Sequence, residues 1–244
     1  MVRAMWDNAP LLRSIASALS FFSVVAILYV AGHYVVHQPQ LLPIHRVRLV
    51  DAPERVIPAD VLVVMQREVR GNFFTVDLEK IRHALEKLSW VRNVNVRREF
   101  PNSLTIQFEE HQPLARWNDV ALVNLQGEVF EAQTTQVLPR FIGYQGSSAE
   151  MTQQYAAFSA KLAALDLKVT QLTLSPRHAW QMHLDNEMVV ELGREFMGQR
   201  LSRFVSVYPY SLGVVQDVFA QKGVGAAVVD MRYRHGFAVR MKHG

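Results

Sequence analysis

The chain has 244 residues, of which 50% are hydrophobic and 20% are charged, and its formal net charge is +4. This composition is typical of a folded protein, and the basic residues form no dense block with interleaved aromatics, which argues against nucleic-acid binding. Because the chain contains no cysteine, thiol nucleophiles and cysteine-ligated metals are excluded.

The first predicted element is a membrane-spanning helix over residues 14–36. These 23 residues contain no Lys, Arg, Asp or Glu, and about 20 apolar residues suffice to cross a hydrocarbon core of about 30 Å. The run is longer than the apolar core of a signal peptide and continues through Ala31-Gly32-His33, which is a poor cleavage site. An uncleaved signal anchor is therefore favoured over a cleaved peptide.

The cations around this helix predict its orientation. Arg3 and Arg13 precede the apolar run, and the next Lys or Arg after it is Arg46. Cations close to the N-terminal side favour a cytoplasmic N-terminus. We therefore expect a cytoplasmic tail at residues 1–13 and an exported remainder, which in a bacterium is periplasmic.

A small α+β domain is predicted over residues 44–113, in the order β-α-α-β-β. Two helices with amphipathic stripes should cover one face of a three-stranded sheet. The predicted elements are a strand at Ile44–Val50, a helix from Pro58 to Gly71, a helix capped by Asp77, and strands at Trp90–Arg98 and Leu104–Phe108.

A second α+β domain is predicted over residues 114–244, mostly antiparallel β with flanking helices and without βαβ units. Its last feature is a terminal hairpin whose turn is Arg234-His235-Gly236. The predicted elements are a hairpin at 121–130, a helix at 149–166, strands at 172–174, 180–184 and 188–192, a helix at 196–207, and hairpin strands at 228–233 and 237–241.

The first domain contains three sequence segments that resemble those of a known family. It contains I-x-x-V-x-L-V at 44–50, G-N-F-F at 71–74, and L-S-W-V-R-N-V-N-V-R-R-E-F-P-N-S-L-T-I-Q-F-E-E at 88–110. These phrases resemble a POTRA domain of the FtsQ/DivIB type. The resemblance implies a polypeptide-docking module.

The second domain resembles the C-terminal domain of the same family of bacterial cell-division proteins. The matching phrases are A-R-W-N-D at 115–119, L-V-N-L-Q-G-E-V-F at 122–130, L-G-R at 192–194, R-L-S-R-F-V-S-V-Y-P at 200–209 and V-D-M-R-Y-R-H-G-F-A-V at 229–239. Anchor, POTRA domain and this domain follow the family's order over essentially the whole chain. An aromatic residue expected near the end of the last strand is replaced by Met241.

The sequence offers no catalytic, cofactor-binding or metal-binding constellation. G-x-S-x-G, P-loop and H-E-x-x-H motifs are missing. His178 and His183 should point to opposite faces of a strand, and Glu109-Glu110-His111 is interpreted as a solvated boundary between domains. A membrane-tethered periplasmic enzyme acting on the cell wall, with carboxylates distant in sequence, stays open as the alternative.

The terminal hairpin is the best candidate binding surface. A final strand often lies at a sheet edge, where it accepts another chain by strand addition. Tyr233 is a typical hot-spot residue, and Arg194 and Arg232 could bind partner carboxylates through two parallel hydrogen bonds. From the residues alone, it is equally plausible that Tyr233 and Val239 are core positions and that both arginines are solvated.

The resemblance implies a specific role for this surface, because in the family it binds FtsB and FtsL, two bitopic coiled-coil division proteins. The expected function is that of a non-enzymatic, single-pass inner-membrane scaffold at the division septum. It would link early cytoplasmic division components to the periplasmic septal cell-wall synthesis machinery. The expected contact residues are Arg194, Arg232, Tyr233, His235, Gly236, Phe237, Val239 and Met241.

The resemblance also sets what else the protein should bind. Other divisome components are expected as partners and lipid is contacted through the N-terminal helix, whereas no cofactor, nucleic acid or small-molecule substrate is implied. A third possibility is a POTRA-bearing secretion or outer-membrane assembly factor. Such proteins usually carry repeated POTRA units and a barrel, so one unit without a barrel argues against it.

Overall fold

The computed structural model describes residues 9–38, 40, 42–50, 53–213, 227–234 and 236–241. The chain divides between Glu110 and His111 into two compact units. Each unit has its own hydrophobic core.

The first unit begins with one long apolar helix, α1 (Ala9–Val36), which has no buried residue. The helix is long and apolar enough to cross a membrane, and a stretch of 18 residues within it has a mean hydropathy of 2.1. An apolar surface left this open is stable in lipid and costly in water. The predicted N-terminal spanning helix is therefore confirmed as an element, and its first turns extend back past Arg13.

The rest of the first unit has the predicted β-α-α-β-β order. Strand β3 lies in the centre of the sheet, parallel to β1 and antiparallel to β2. Ile81 and Leu85 of the second helix are fully buried in one core with Leu104 and Ile106 of β3. The elements are β1 (Arg46–Val50), α2 (Pro58–Glu68), α3 (Leu78–Leu85), β2 (Val91–Glu99) and β3 (Ser103–Glu110).

Two acidic side chains stabilise this domain by accepting hydrogen bonds from backbone N–H groups. Asp77 accepts a hydrogen bond from the N–H of Lys80 at 3.0 Å, which confirms the predicted cap of α3. Glu110 accepts from the N–H groups of Arg55 and Val56, each at 2.9 Å. Glu110 thus lies at the division between the two units, as predicted, but it is half-buried and has a structural role.

The loop after α2 is organised by Asn72, whose side chain is fully buried. Its Nδ2 donates to the carbonyl oxygens of Val36 at 2.6 Å and Gln38 at 2.9 Å. Its Oδ1 accepts from the N–H groups of Phe74 at 2.9 Å and Thr75 at 3.0 Å. One side chain therefore shapes this loop and ties it to the C-terminal end of α1.

In the described residues, the second unit consists mainly of a nine-stranded sheet and two α-helices of more than ten residues. The strand order is β12-β11-β10-β9-β8-β7-β4-β5-β6. Its elements are β4 (Pro113–Trp117), β5 (Ala121–Asn124), β6 (Val129–Phe130), β7 (Arg140–Ile142), α4 (Ser148–Leu162), β8 (Val169–Leu174), β9 (Trp180–Leu184), β10 (Val189–Gly193), α5 (Met197–Val207), β11 (Ala227–Asp230) and β12 (Ala238–Met241).

The predicted mostly antiparallel sheet is confirmed, with three parallel pairs within it: β4 with β7, β7 with β8, and β10 with β11. The prediction of no βαβ unit is wrong, because α4 connects β7 to β8 and the segment containing α5 connects β10 to β11. Parallel neighbours need such crossovers. Strand β7 has only three residues, too few for alternation to reveal it. Strand β11 was predicted as a hairpin strand, but its parallel pairing with β10 was not.

The core of the second unit lies between the helices and one face of the sheet. Met151 and Phe158 of α4 and Phe204 of α5 are buried against alternate residues of the central strands, such as Leu172 and Met182. His111 is also buried in this unit. Its Nδ1 lies 2.9 Å from Nδ2 of Asn124, and the ring of Phe130 stacks on its imidazole. His111 lies at the division between the two units, where a boundary was predicted, but it is buried and not solvated.

We expect Asn72→Ala to lower the free energy of unfolding of the first unit by about 2–4 kcal/mol, because buried backbone groups lose their partners. Asn95→Ala is the matched control, since the Asn95 side chain is exposed and accepts one bond from Arg97 at 3.2 Å. Denaturant titration of both variants measures the difference. Equal stabilities would show that Asn72 does not organise the loop.

Candidate functional site

The predicted terminal hairpin exists, and its last strand lies at a sheet edge. Strand β12 pairs antiparallel with β11 from Ala238 opposite Asp230 to Met241 opposite Ala227. Among the described residues, no strand pairs with the other side of β12. Alternate N–H and C=O groups of an edge strand point outward, so β12 can accept a further strand.

The turn of the hairpin is longer than predicted. The paired strands end at Asp230 and begin again at Ala238, so the strand predicted to reach Tyr233 stops three residues earlier. His235, one of the predicted contact residues, lies outside the described residues.

An arginine from α5 holds this turn in place. Nη1 of Arg203 donates to the carbonyl oxygens of Tyr233 at 3.0 Å and Gly236 at 3.3 Å. Backbone carbonyls outside regular structure need such partners. Helix α5 therefore fixes the backbone that presents Tyr233.

A second arginine of α5 joins the end of β10 to the same turn. Nη1 of Arg200 donates to the carbonyl of Leu192 at 2.6 Å, and its Nη2 donates to the carbonyl of Arg232 at 3.3 Å. Gly193 has φ +72°, and a Cβ there would lie 2.8 Å from Arg200 Nη1 and 3.0 Å from Arg232 Cγ. Glycine is therefore required at this position, where the backbone lies close to both arginines.

Arg232 is already bonded within the domain. Its Nε and Nη2 donate to the two carboxylate oxygens of Asp230 at 2.8 and 2.6 Å, and Nη2 lies 3.0 Å from Oε2 of Glu191. Arg240 of β12 also pairs with Glu191. A partner carboxylate that binds Arg232 must share it with Asp230 and Glu191.

These contacts set the protonation of the cluster. The hydrogen bond from the Arg232 guanidinium holds the pKa of the Asp230 carboxyl below its ordinary value, and the opposing effect of burial is smaller. The same bond raises the pKa of Arg232. Asp230 and Arg232 are therefore a charged pair at neutral pH, and Asp230 supplies no protonated carboxyl for acid–base chemistry.

The predicted contact residues differ in exposure. The Tyr233 side chain is 57% exposed, and an open depression of about 480 Å³ is lined by Tyr233, Arg234, Gly236, Phe237 and Ala238. Arg194 is exposed, and within the described part of the chain its side chain has no hydrogen bond or ion pair. These residues form a surface with an open aromatic ring and an available cation.

Two other predicted residues are partly in the core. Phe237 and Val239 are half-buried and pack against the main core of the second unit, whereas Met241 is exposed at the end of β12. Only part of Phe237 and Val239 is therefore open to a partner. Whether any of these residues binds one stays a prediction.

Sequence reasoning missed the residues that hold this surface together, namely Glu191, Gly193, Arg200, Arg203 and Asp230. Glu191 and Gly193 lie in the second half of β10, and the two arginines lie one turn apart on α5, so no local pattern marks them as parts of one site. The neighbouring pair Asp230 and Arg232 was a usable signal, because residues two apart at a strand end lie on one side.

In the part of the chain that the structure describes, no group of three or more His, Asp or Glu side chains could hold a metal ion. The two carboxylates beside the hairpin, Glu191 and Asp230, both bind arginine. The arrangement suits binding.

Comparison with known proteins agrees with this division of the chain. Residues 42–111 match the profile of the POTRA domain, FtsQ-type, and residues 115–232 match that of Cell division protein FtsQ/DivIB, C-terminal. The chain is 41% identical to cell division protein FtsQ of Nitrosospira multiformis, over 97% of this chain and 99% of that protein. It is 35% identical to FtsQ of Burkholderia pseudomallei (97% and 94%) and 36% identical to FtsQ of Escherichia coli K12 (69% and 62%).

We expect Asp230→Asn to lower the free energy of unfolding at pH 7 by about 1–2 kcal/mol, because a charge-assisted pair with a half-exposed arginine is lost. A carboxyl with a lowered folded-state pKa stabilises the fold above its unfolded pKa of about 3.9 and stops doing so as the pH falls through the folded value. The deficit should therefore shrink below about pH 4. Denaturant titrations across the acid range measure it.

Asp119→Asn is the control for that experiment. Asp119 also pairs with an arginine, Arg140, but both side chains are about half exposed, so its loss should matter less. A deficit for Asp230→Asn that does not change with pH would contradict the assigned ion pair.

Proposed function

The chain belongs to the FtsQ/DivIB family of bacterial cell division proteins, and from this premise we propose that it is a single-pass scaffold of the division machinery. The second unit docks the FtsB–FtsL complex, and the protein thereby links early cytoplasmic division components to septal cell-wall synthesis. Helix α1 anchors the chain in the inner membrane at the septum. Arg3 and Arg13 keep the N-terminus cytoplasmic, and the two units lie in the periplasm.

The observation that carries this proposal is the free edge of β12 beside a turn that α5 holds in place. An extended segment of the partner adds to β12 through main-chain hydrogen bonds, and its side chains fill the depression beside Tyr233. Because Arg203 already fixes the turn, little ordering entropy is lost on binding. The half-exposed Tyr233 ring supplies apolar area and a hydroxyl at low rotamer cost.

Charge gives this docking its specificity. Arg194 is exposed and lies next to Gly193, so it can bind a partner carboxylate without first breaking a contact with a described residue. Arg232 instead positions the turn, and only those of its N–H groups that do not bind Asp230 are available to a partner. Carboxylates on the partner are therefore attracted to Arg194, at the end of β10.

The membrane-tethered enzyme is less well supported. It needs a pocket into which free carboxylates converge. The depression at the turn is open and is lined by no acidic residue, and the nearest acidic pair is bound to arginine. No observation in the described residues favours catalysis over docking.

We expect Arg194→Glu combined with Tyr233→Ala to weaken binding of the FtsB–FtsL complex by at least about 100-fold, because a hot-spot tyrosine alone contributes about 2 kcal/mol. Fluorescence anisotropy with the full-length protein in nanodiscs measures the affinity. The matched control is Arg177→Glu with Tyr210→Ala, which alters an exposed arginine and an exposed tyrosine elsewhere in the unit. Unchanged affinity in the folded double variant would rule out this site.

Strand addition has its own signature in amide hydrogen exchange. The outward N–H groups of Ala238–Met241 should exchange more slowly once the FtsB–FtsL complex is bound, because they gain inter-strand hydrogen bonds. Strand β6 (Val129–Phe130) is the internal control, since it forms the opposite edge of the same sheet and should not change. Tight binding without added protection in β12 would mean that the partner docks in another way.

A further inference from the structure

Three phenylalanines of the first unit form a cluster that is open on one side. The ring centroid of Phe73 lies 5.4 Å from that of Phe74 and 6.1 Å from that of Phe100, both edge to face. Phe73 is buried, whereas Phe74 is 50% and Phe100 is 76% exposed. We call Phe74 and Phe100 the phenylalanine patch. Two exposed rings that pack against the same buried ring mark a contact surface more often than one isolated ring does.

The backbone beneath this patch is held from both sides. The N–H of Phe73 donates to the carbonyl of Leu42 at 3.0 Å. Arg98 donates from Nε to the carbonyl of Phe73 at 2.8 Å and from Nη2 to that of Val76 at 2.7 Å. The backbone of the loop is therefore fixed, which sets the positions from which the rings of Phe73 and Phe74 project.

The patch lies beside the C-terminal end of α1. Asn72 bonds directly to the carbonyl of Val36, the last residue of that helix. Consecutive Cα atoms are about 3.8 Å apart, so the backbone of Phe74 can be no more than about 8 Å from that of Asn72. The interfacial layer on each side of the hydrocarbon core is about 5–7 Å thick. The patch and this layer therefore occupy similar distances from the helix end.

The position of Val36 in the bilayer follows from α1 itself. From Arg13, the last cation before the apolar run, to Val36 the helix rises about 34 Å, slightly more than the hydrocarbon thickness of about 30 Å. With Arg13 at one boundary, Val36 reaches the other. Tyr34 and His33 near this end are side chains that favour an interface.

We propose that the phenylalanine patch inserts into the bilayer interface at the C-terminal end of α1. The POTRA domain then contacts lipid directly, in addition to being tethered to the membrane by α1. The rings occupy the boundary between headgroups and acyl chains, where exposed aromatic surface is stabilised. Arg46 begins β1 opposite Ser103, next to the turn that carries Phe100, and its cation faces the headgroup region. The occupant of the patch is thus the membrane surface.

This contact gives the first unit a defined orientation. A domain joined to a spanning helix by a hydrogen-bonded loop and resting on lipid through two rings cannot swing freely. Its remaining surface, and the chain that follows it, then leave the membrane in a constant direction. The inference uses α1 and the first unit only and does not depend on the docking of FtsB–FtsL.

The test uses the absence of cysteine in the natural chain. Single variants Phe74→Cys and Phe100→Cys of the full-length protein are labelled with a nitroxide and placed in nanodiscs of phosphatidylethanolamine and phosphatidylglycerol. Electron paramagnetic resonance then compares collisions with oxygen, which is concentrated in lipid, and with a water-soluble nickel chelate. The ratio of oxygen to nickel accessibility should be higher at both positions than at the control.

Ile57→Cys is the matched control. Ile57 is an apolar residue of the same domain with 60% exposure, and it precedes α2, so the length of that helix, about 16 Å, separates it from the patch. All three sites are exposed, so labelling should not unfold the domain, and circular dichroism checks this. Equal, water-like ratios at positions 57, 74 and 100 would overturn the proposal and leave the patch to a protein partner.

Discussion

The two surfaces assigned here depend on one constraint: irregular backbone must find hydrogen-bond partners, and in this protein long polar side chains supply them. Asn72 and Arg98 satisfy the loop that carries Phe74. Arg200 and Arg203 satisfy the turn that carries Tyr233. In both places a buried or helix-borne side chain fixes the backbone while an aromatic ring next to it stays exposed. The rings are therefore presented on rigid supports, although neither lies within a helix or strand.

The ion pairs of the hairpin limit what a partner gains from charge. Arg232 is bound by Asp230 through two hydrogen bonds, so a partner carboxylate would replace an existing contact and not create a new one. Exchanging one pair for another changes the free energy little, and the desolvation cost remains. In the proposed complex, affinity must then come from β12 and the apolar area of Tyr233, while Arg194 and the cluster set register and orientation.

The predictability of the fold followed the length of each element. The membrane helix, the POTRA-type order and the helices α4 and α5 were predicted, because runs of eight or more residues show a clear period. Strand β7 was missed, since a strand of three residues has no readable alternation. Strand β11 was predicted two residues or more too long, and its pairing with β10 was not predicted, because pairing depends on residues distant in sequence. The candidate surface was predicted as a location. The residues that build it were not predicted, because Arg203 and Gly193 contact carbonyl groups and side chains of residues that are distant in sequence.

A free sheet edge needs an explanation in any stable protein, since it invites unwanted pairing between copies. Strand β12 reduces this risk in two ways that the structure shows. It has only four residues, and the side chain of Arg240 stands on it, paired with Glu191. A second copy approaching edge to edge would bring two such arginines together along a short ladder, at a cost in like-charge repulsion. A partner with carboxylates meets no such repulsion. The charge that disfavours edge-to-edge pairing thus also favours a partner that carries carboxylates.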